Sequence, residues 1–296
     1  MNPVLRLDHR YHDVEDHDRG LVFDLATLDR RRMLKLLGLG GISAGLFTIV
    51  GCNPSGSTAT PGTSAAATAA AGASQGTGAT GSADAASCEV IPEETAGPFP
   101  GDGSNGPDVL SQTGVVRKDI RSSFGSSSGV AAGVPLSIRL ALEDGADCAP
   151  LAGAAVYVWH CDQAGNYSLY SQAAANENYL RGVQAAGDDG VVTFDSIFPA
   201  CYQGRWPHIH FEVYPSLETA NDEANKIATS QIALPKDVCD TVFATSGYEQ
   251  SVQNLSRLTL QSDMVFADDG GVRQLGTMSG DVASGYSVSL TVPVNG

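Results

Sequence analysis

Several runs of the chain alternate apolar and polar residues with a period of two, the mark of a strand buried on one face. Leu136, Ile138, Leu140 and Leu142 fall on one face, with Ser137 and Arg139 on the other. Tyr286, Val288, Leu290 and Val292 alternate with Ser287, Ser289 and Thr291. Residues 154–160, 191–198 and 208–214 are rich in β-branched and aromatic side chains, which fit a pleated, half-buried surface. Gly, Asn and Asp punctuate these runs at 143–145, 162–166, 188–190 and 268–271. Short strands separated by such turns predict an all-β domain, a β-sandwich. Helix is scarce; residues 217–225 suit one or two turns. There is no internal repeat.

The first 87 residues follow a different pattern. Arg30, Arg31 and Arg32 precede Met33-Leu34-Lys35 and then a largely apolar stretch of 16 residues, Leu36 to Gly51, of which five are Gly. That run falls short of the roughly 20 residues that span a bilayer and suits the core of a signal peptide. It resembles a twin-arginine export signal. Its end, Ile49-Val50-Gly51-Cys52, resembles a bacterial lipobox, which makes Cys52 the expected lipidation site and residues 1–51 the signal peptide. A lipid anchor holds a protein at a membrane surface without spanning it. Residues 1–28 interleave His9, His12 and His17 with acidic side chains; the plainer reading is a long leader, not a metal site. Residues 53–87 hold 12 Ala, a single charge at Asp84 and no Leu, Ile, Val or aromatic residue. Such a segment buries too little apolar surface to offset its ordering entropy. With Cys52, residues 52–87 are expected to form a disordered, flexible spacer. The globular domain is then 88–296, on the outer face of the membrane in the cell envelope.

Charge narrows the function. The chain of 296 residues carries 17 basic and 33 acidic side chains, a net charge of −16. Residues 1–35 hold seven of each sign, so the excess lies beyond them, 10 basic against 26 acidic. Nucleic-acid binding normally needs a basic patch, and docking on anionic lipid needs clustered Lys and Arg. Neither partner is expected, so membrane contact is by the anchor alone. The domain's cysteines are Cys88, Cys148, Cys161, Cys201 and Cys239. Disulfides persist in exported proteins, and no pair has zinc-knuckle or CxxC spacing. The expected pairings are Cys148–Cys161 and Cys201–Cys239, with one thiol left over.

Candidate chemistry gathers around the histidines. The domain has three, and two form the triplet His208-Ile209-His210. On a strand, residues i and i+2 share a face, so both imidazoles project together and Ile209 points away. A metal ion accepts both lone pairs; the plainer alternatives are a surface pair or hydrogen-bonded core histidines. Cupins follow such a pair with Glu four or five residues on, whereas Glu212 comes after two. His160 reads as a strand end. The remaining donors nearby are phenols: Tyr202, six residues before His208, and Tyr167, after the turn 162–166. Phenolate is a hard anionic donor that suits Fe(III).

These residues carry a resemblance. Residues 156–168, Val-Tyr-Val-Trp-His-Cys-Asp-Gln-Ala-Gly-Asn-Tyr-Ser, resemble the first metal-ligand motif of the intradiol ring-cleavage dioxygenases, the catechol and protocatechuate dioxygenases that use non-haem Fe(III). Phe198-Pro199-Ala200-Cys201-Tyr202 resembles the second tyrosine motif, and Arg205-Trp206-Pro207-His208-Ile209-His210-Phe211 the R-x-x-H-x-H motif. Residues 92–99, Leu180-Arg181-Gly182 and 190–194 also fit the family. The likeness covers about residues 88–215 and is poor beyond.

The resemblance implies a β-sandwich with the site near one edge. It implies Tyr167 and His208 as equatorial and Tyr202 and His210 as axial ligands of Fe(III). Arg205 would lie beside the bound ring, and Tyr202 would leave the metal as the catechol binds, so Tyr202 and Arg205 are the catalytic candidates. The implied reaction opens a catechol-type ring with O2 to a cis,cis-muconate-type product, both oxygen atoms entering it, the metal acting as Lewis acid and template. The chain lacks an obvious helical N-terminal dimerisation domain of the catechol type, and a homo-oligomer built otherwise stays open. Two other readings compete: a non-catalytic β-sandwich binding an aromatic, a carbohydrate or a protein, and a zinc or copper site on His208 and His210.

Overall fold

A computed structural model describes residues 88–296. The expected signal peptide, Cys52 and the spacer lie outside the described residues. Eight strands form: β1 (Pro135–Asp144), β2 (Ala155–Trp159), β3 (Arg181–Ala185), β4 (Val191–Ile197), β5 (His208–Tyr214), β6 (Ala228–Ala233), β7 (Thr277–Asp281) and β8 (Gly285–Val294). One sheet has the order β4-β1-β8-β7, the other β3-β2-β5-β6. All neighbours are antiparallel except β1 and β8. The sheets stack through their inner faces. Leu136, Ile138, Leu140 and Leu142 of β1 and Val288, Leu290 and Val292 of β8 share one core with Val156 and Val158 of β2 and Ile209, Phe211 and Val213 of β5. This is the β-sandwich that the alternation predicts.

The second sheet departs from simple alternation. All residues of β2, β5 and β6 are buried, because its outer face is covered as well. Val109, Leu110, Val115 and Tyr167 come from long connections and pack there against Ala155, Tyr157, Trp159 and Val183. Polar side chains on that face are therefore removed from water and must find partners. The histidines of β5 lie on this covered face. Since β5 runs between β2 and β6, the site sits at the end of a central strand and not along a sheet edge.

Three strands escape the period-two reading. β3 begins with an arginine, β6 reads Ala-Thr-Ser-Gln-Ile-Ala, and β7 is a short, mostly exposed edge. Two helices are also additional, α1 (Lys236–Phe243) and α2 (Glu249–Leu255). α1 buries Cys239, Val242 and Phe243, the i, i+3, i+4 stripe of a helix lying on a core. Within 217–225 the structure forms a single 3-10 turn, Glu223–Asn225. Among the described residues no helix is long and apolar enough to cross a membrane.

The disulfide pairing differs from the expectation. Cys88 is bonded to Cys148, with Cα atoms 5.4 Å apart, and Cys161, Cys201 and Cys239 are buried free thiols. Cys148 lies before β2 and Cys161 after it. The five residues of that strand extend about 17 Å at ~3.3 Å each, well beyond the ~7 Å limit for bridging Cα atoms. Cys148 instead meets the start of the domain, where the Cys88 amide donates to the Gly145 carbonyl (3.1 Å). Cys201 and Cys239 share the sandwich core as separate thiols.

Candidate metal centre

Four side chains from three segments converge at the start of β5. His208 and His210 both point to the outer face, and Ile209 enters the sandwich core, as i, i+2 geometry requires. Their Nε2 atoms are 3.0 Å apart. Trp159, across the ladder from His210, stacks on its ring at 4.8 Å and 7°. Tyr167 follows a tight turn that Asp162 organises: its Oδ1 accepts from the amides of Ala164 and Asn166 (both 2.9 Å). Gly165 supplies the left-handed residue of that turn at φ +89°, where a Cβ would lie 3.3 Å from that of Tyr202. Two backbone amides hold the Tyr202 loop: that of Ala200 donates to the Asp162 carbonyl and that of Cys201 to the Ser251 hydroxyl. Both phenol oxygens lie 3.4 Å from His208 Nε2.

The donor set fits a cation. His208 Nδ1 lies 2.5 Å from the Trp206 carbonyl. A carbonyl only accepts, so Nδ1 carries the proton and Nε2 presents a lone pair. His210 Nδ1 is buried with no hydrogen-bond partner, so the ring is held by stacking. Both rings are neutral. Burial, then the charge of Arg205, pushes His208 down to about 3; burial, then His208, holds His210 well below the usual range. A separation of 3.0 Å is about that of two nitrogens ~2.1 Å from one ion at a right angle. Burial, then Tyr202, pushes the Tyr167 phenol well up, and a multivalent cation inverts that preference. Two phenols beside two neutral imidazoles form a hard, anionic-capable set suited to Fe(III).

His160 is not part of the set. Its Nδ1 lies 2.8 Å from the Cys161 carbonyl and its Nε2 2.7 Å from Ser196 Oγ, so it is a satisfied core histidine. Cys88, Glu143 and Cys148 also lie close together, but their sulfurs are spent in the disulfide. Glu212 shares the outer face with His210 yet turns away: it accepts from Tyr214 Oη (2.7 Å) and sits 3.5 Å from Lys226.

Arg205 is buried and ion-paired, not at the surface. Its Nε donates to Asp263 Oδ2 (3.1 Å) and its Nη2 to Gln231 Oε1 (2.6 Å). Gln231, opposite His210 in the ladder, donates in turn to the Thr95 carbonyl (2.9 Å). Sequence reading missed Gln231 and Asp263. Gln231 is a buried amide in a strand without alternation, and Asp263 lies in a C-terminal stretch with no motif. The only signal was that Gln231 has polar neighbours, Thr229 and Ser230, in a segment flanked by apolar residues.

Residues 105–220 match a family model described as dioxygenase, and Tyr167, Tyr202, Arg205, His208 and His210 all fall within it. A 54-residue stretch is 41% identical to chlorocatechol 1,2-dioxygenase of Rhodococcus opacus, covering 18% of this chain. The match spans about a fifth of that relative, 21% of its length. The fold is similar to an intradiol ring-cleavage dioxygenase from Tetranychus urticae, with a TM-score of 0.54 at 24% identity over 70% of this chain and 95% of that one. Residues 105–220 are thus similar to the dioxygenase family, and the domain around them has a fold similar to that of an intradiol ring-cleavage dioxygenase.

Proposed function

We propose that this protein is a non-haem Fe(III) intradiol dioxygenase that opens a catechol-type ring with O2. The observation that carries the reading is the convergence of two phenols and a second imidazole on His208 Nε2. Tyr167, Tyr202, His208 and His210 would hold the iron. Ferric iron, when bound, would supply a Lewis acid and a template that make a catechol reactive toward O2.

The chain's own residues divide the remaining work. Tyr167, His208 and His210 are almost fully buried, whereas Tyr202 is half-buried. That difference supports Tyr202 as the ligand free to move, its phenolate oxygen taking a proton from the incoming catechol. Arg205, steered by Asp263 and Gln231, places a fixed positive charge beside the ring, where negative charge develops. Trp159 and the loops over the sheet keep His210 from water.

The reading extends to location. Twin-arginine export and a lipid anchor at Cys52 would set the domain on the outer face of the membrane. A Cys88–Cys148 disulfide at the start of the domain supports an oxidising compartment.

The test is metal content and the visible spectrum of residues 88–296, followed by O2 uptake with catechols. One iron per chain and a red-brown colour that shifts on adding catechol are expected. Protein that stays colourless after iron loading overturns the reading, because ferric phenolate absorbs visible light and zinc phenolate does not.

A further inference from the structure

Arg181, at the start of β3, is 1% exposed, and all five of its N–H groups are used on neutral oxygens. Its Nε donates to Ser168 Oγ (3.0 Å). Its Nη1 donates to the Pro100 carbonyl (2.6 Å) and Tyr157 Oη (3.0 Å). Its Nη2 donates to the carbonyls of Phe99 (2.8 Å) and Ser168 (3.0 Å). One guanidinium thus ties the segment upstream of the domain core, the loop after Tyr167 and the sheet to a single point. A lysine has three donors on one nitrogen and cannot reproduce this fork.

The surroundings show what the clamp serves. Leu169 and Leu180 adopt φ of +72° and +57°, a costly conformation for a residue with a Cβ. One follows Ser168, the other precedes Arg181, so the strained residues bracket the clamp. Gly101 (φ +67°) lies so close that a Cβ there would meet Arg181 Nη1 at 2.7 Å. Phe99, whose carbonyl Arg181 holds, packs its ring 4.8 Å from that of Tyr167. Ser168, held twice, is the next residue after Tyr167. The phenol of Tyr167 is therefore fixed from its backbone and from its ring face by the same side chain.

We propose that Arg181 is the positioning residue that sets the Tyr167 phenol against His208 Nε2, an inference that rests on Tyr167 being a ferric ligand. Side chains that orient metal ligands typically matter by about 10–100-fold in affinity or activity.

The test uses the full chain loaded with iron, comparing wild type with Arg181→Lys, Tyr167→Phe and the double variant. Arg181→Lys is expected to keep its iron, to weaken and shift the phenolate band, and to lower turnover about tenfold. Amide exchange should rise in 97–101 and 167–171 and stay unchanged in β2 and β5. In the Tyr167→Phe background Arg181→Lys should add no further loss, since coupled residues are non-additive. Ser168→Ala removes only one acceptor and should move the band the same way by less, which keeps the test open if Arg181→Lys does not fold. An unchanged band in both variants, or an equal loss in the Tyr167→Phe background, overturns the proposal alone. Wild type that binds iron without a phenolate band overturns the metal reading, and the proposal with it.

Discussion

Arg205 and Asp263 form a buried ion pair, Nε to Oδ2 at 3.1 Å, with side chains 1% and 0% exposed. The carboxylate does more than balance charge. Oδ2 also accepts the Trp206 amide (2.6 Å), and Oδ1 accepts the amides of Val265 (2.9 Å) and Phe266 (3.0 Å). Burial alone would raise its pKa, but Arg205 and the amides of Trp206 and Phe266 outweigh burial and lower it. Asp263 thereby fixes both the side chain of Arg205 and the backbone that leads to His208.

Removing that carboxylate should be costly. Asp263→Ala leaves a guanidinium and three amides without their acceptor, and breaking a buried pair typically costs about 3–5 kcal/mol. Urea unfolding of residues 88–296 should show a loss of that size. Asp263→Asn keeps the volume and one acceptor, so it should unfold less readily than the alanine variant while still lowering turnover. Stability equal to wild type in Asp263→Ala would show that the pair does not hold this segment.

Two substitutions separate the proposed roles of Tyr202 and His210. Tyr202→Phe removes a half-buried phenol, so fold and iron binding should persist while ring cleavage falls by about 10²–10⁴, the usual contribution of a positioned acid or base. His210→Ala removes a direct donor and should lower iron affinity by more than the roughly 10–100-fold that loss of a ligand-orienting partner costs. Metal analysis and O2 uptake read both. Unchanged turnover in the first variant removes Tyr202 from the mechanism; full iron occupancy in the second removes His210 from the ligand set.

The legible part of this fold is the part with a simple period. β1 and β8 alternate because one face meets the core and the other does not, and Ile209 between His208 and His210 placed both imidazoles on one face. β6 was not legible because both of its faces are covered and Ser230 and Gln231 are satisfied by residues far away in sequence, Ser230 Oγ by the Pro92 carbonyl (2.7 Å) and Gln231 Nε2 by that of Thr95 (2.9 Å). No period records such pairing. The partners of Arg205 were hidden for a related reason: Asp263 lies 58 residues downstream, brought in by the tertiary fold. The disulfide was not legible because Cys88 and Cys148 lie 60 residues apart and only the fold brings them together.

The cysteines give a direct chemical check. Burial pushes the Cys201 thiol up to about 12, and those of Cys161 and Cys239 well above the usual range. Only thiolates react readily. Residues 88–296 should therefore show no reaction with a thiol reagent at pH 8 while folded and three reactive groups after unfolding without reductant. Five reactive groups would mean that the Cys88–Cys148 bond does not form. Replacing both bonded cysteines with serine opens a loop of about 60 residues and should cost about 2–4 kcal/mol. Neither cysteine contacts the metal centre, so the phenolate band should survive.

Glu212 should give the metal-free domain a pH dependence of its own. It is fully buried; burial, then the nearby Asp102, raises its pKa, and Lys226 and the Tyr214 hydroxyl only partly oppose this, leaving it at about 7. An unfolded glutamate titrates near 4.5. Between these values the folded domain holds a proton that the unfolded chain has released, so the native state binds more protons and stability falls as pH rises. The contribution is fully present below pH 4.5 and lost through pH 7. A shift of that size corresponds to about 3 kcal/mol. Glu212→Gln replaces the acid with a neutral group of the same shape, which can still accept from Tyr214. Its unfolding free energy relative to wild type should rise between pH 5 and pH 8, as the wild-type side chain ionises in place. Parallel stability curves for the two proteins across that range would show that Glu212 is already ionised in the folded state, with Lys226 compensating its charge in full.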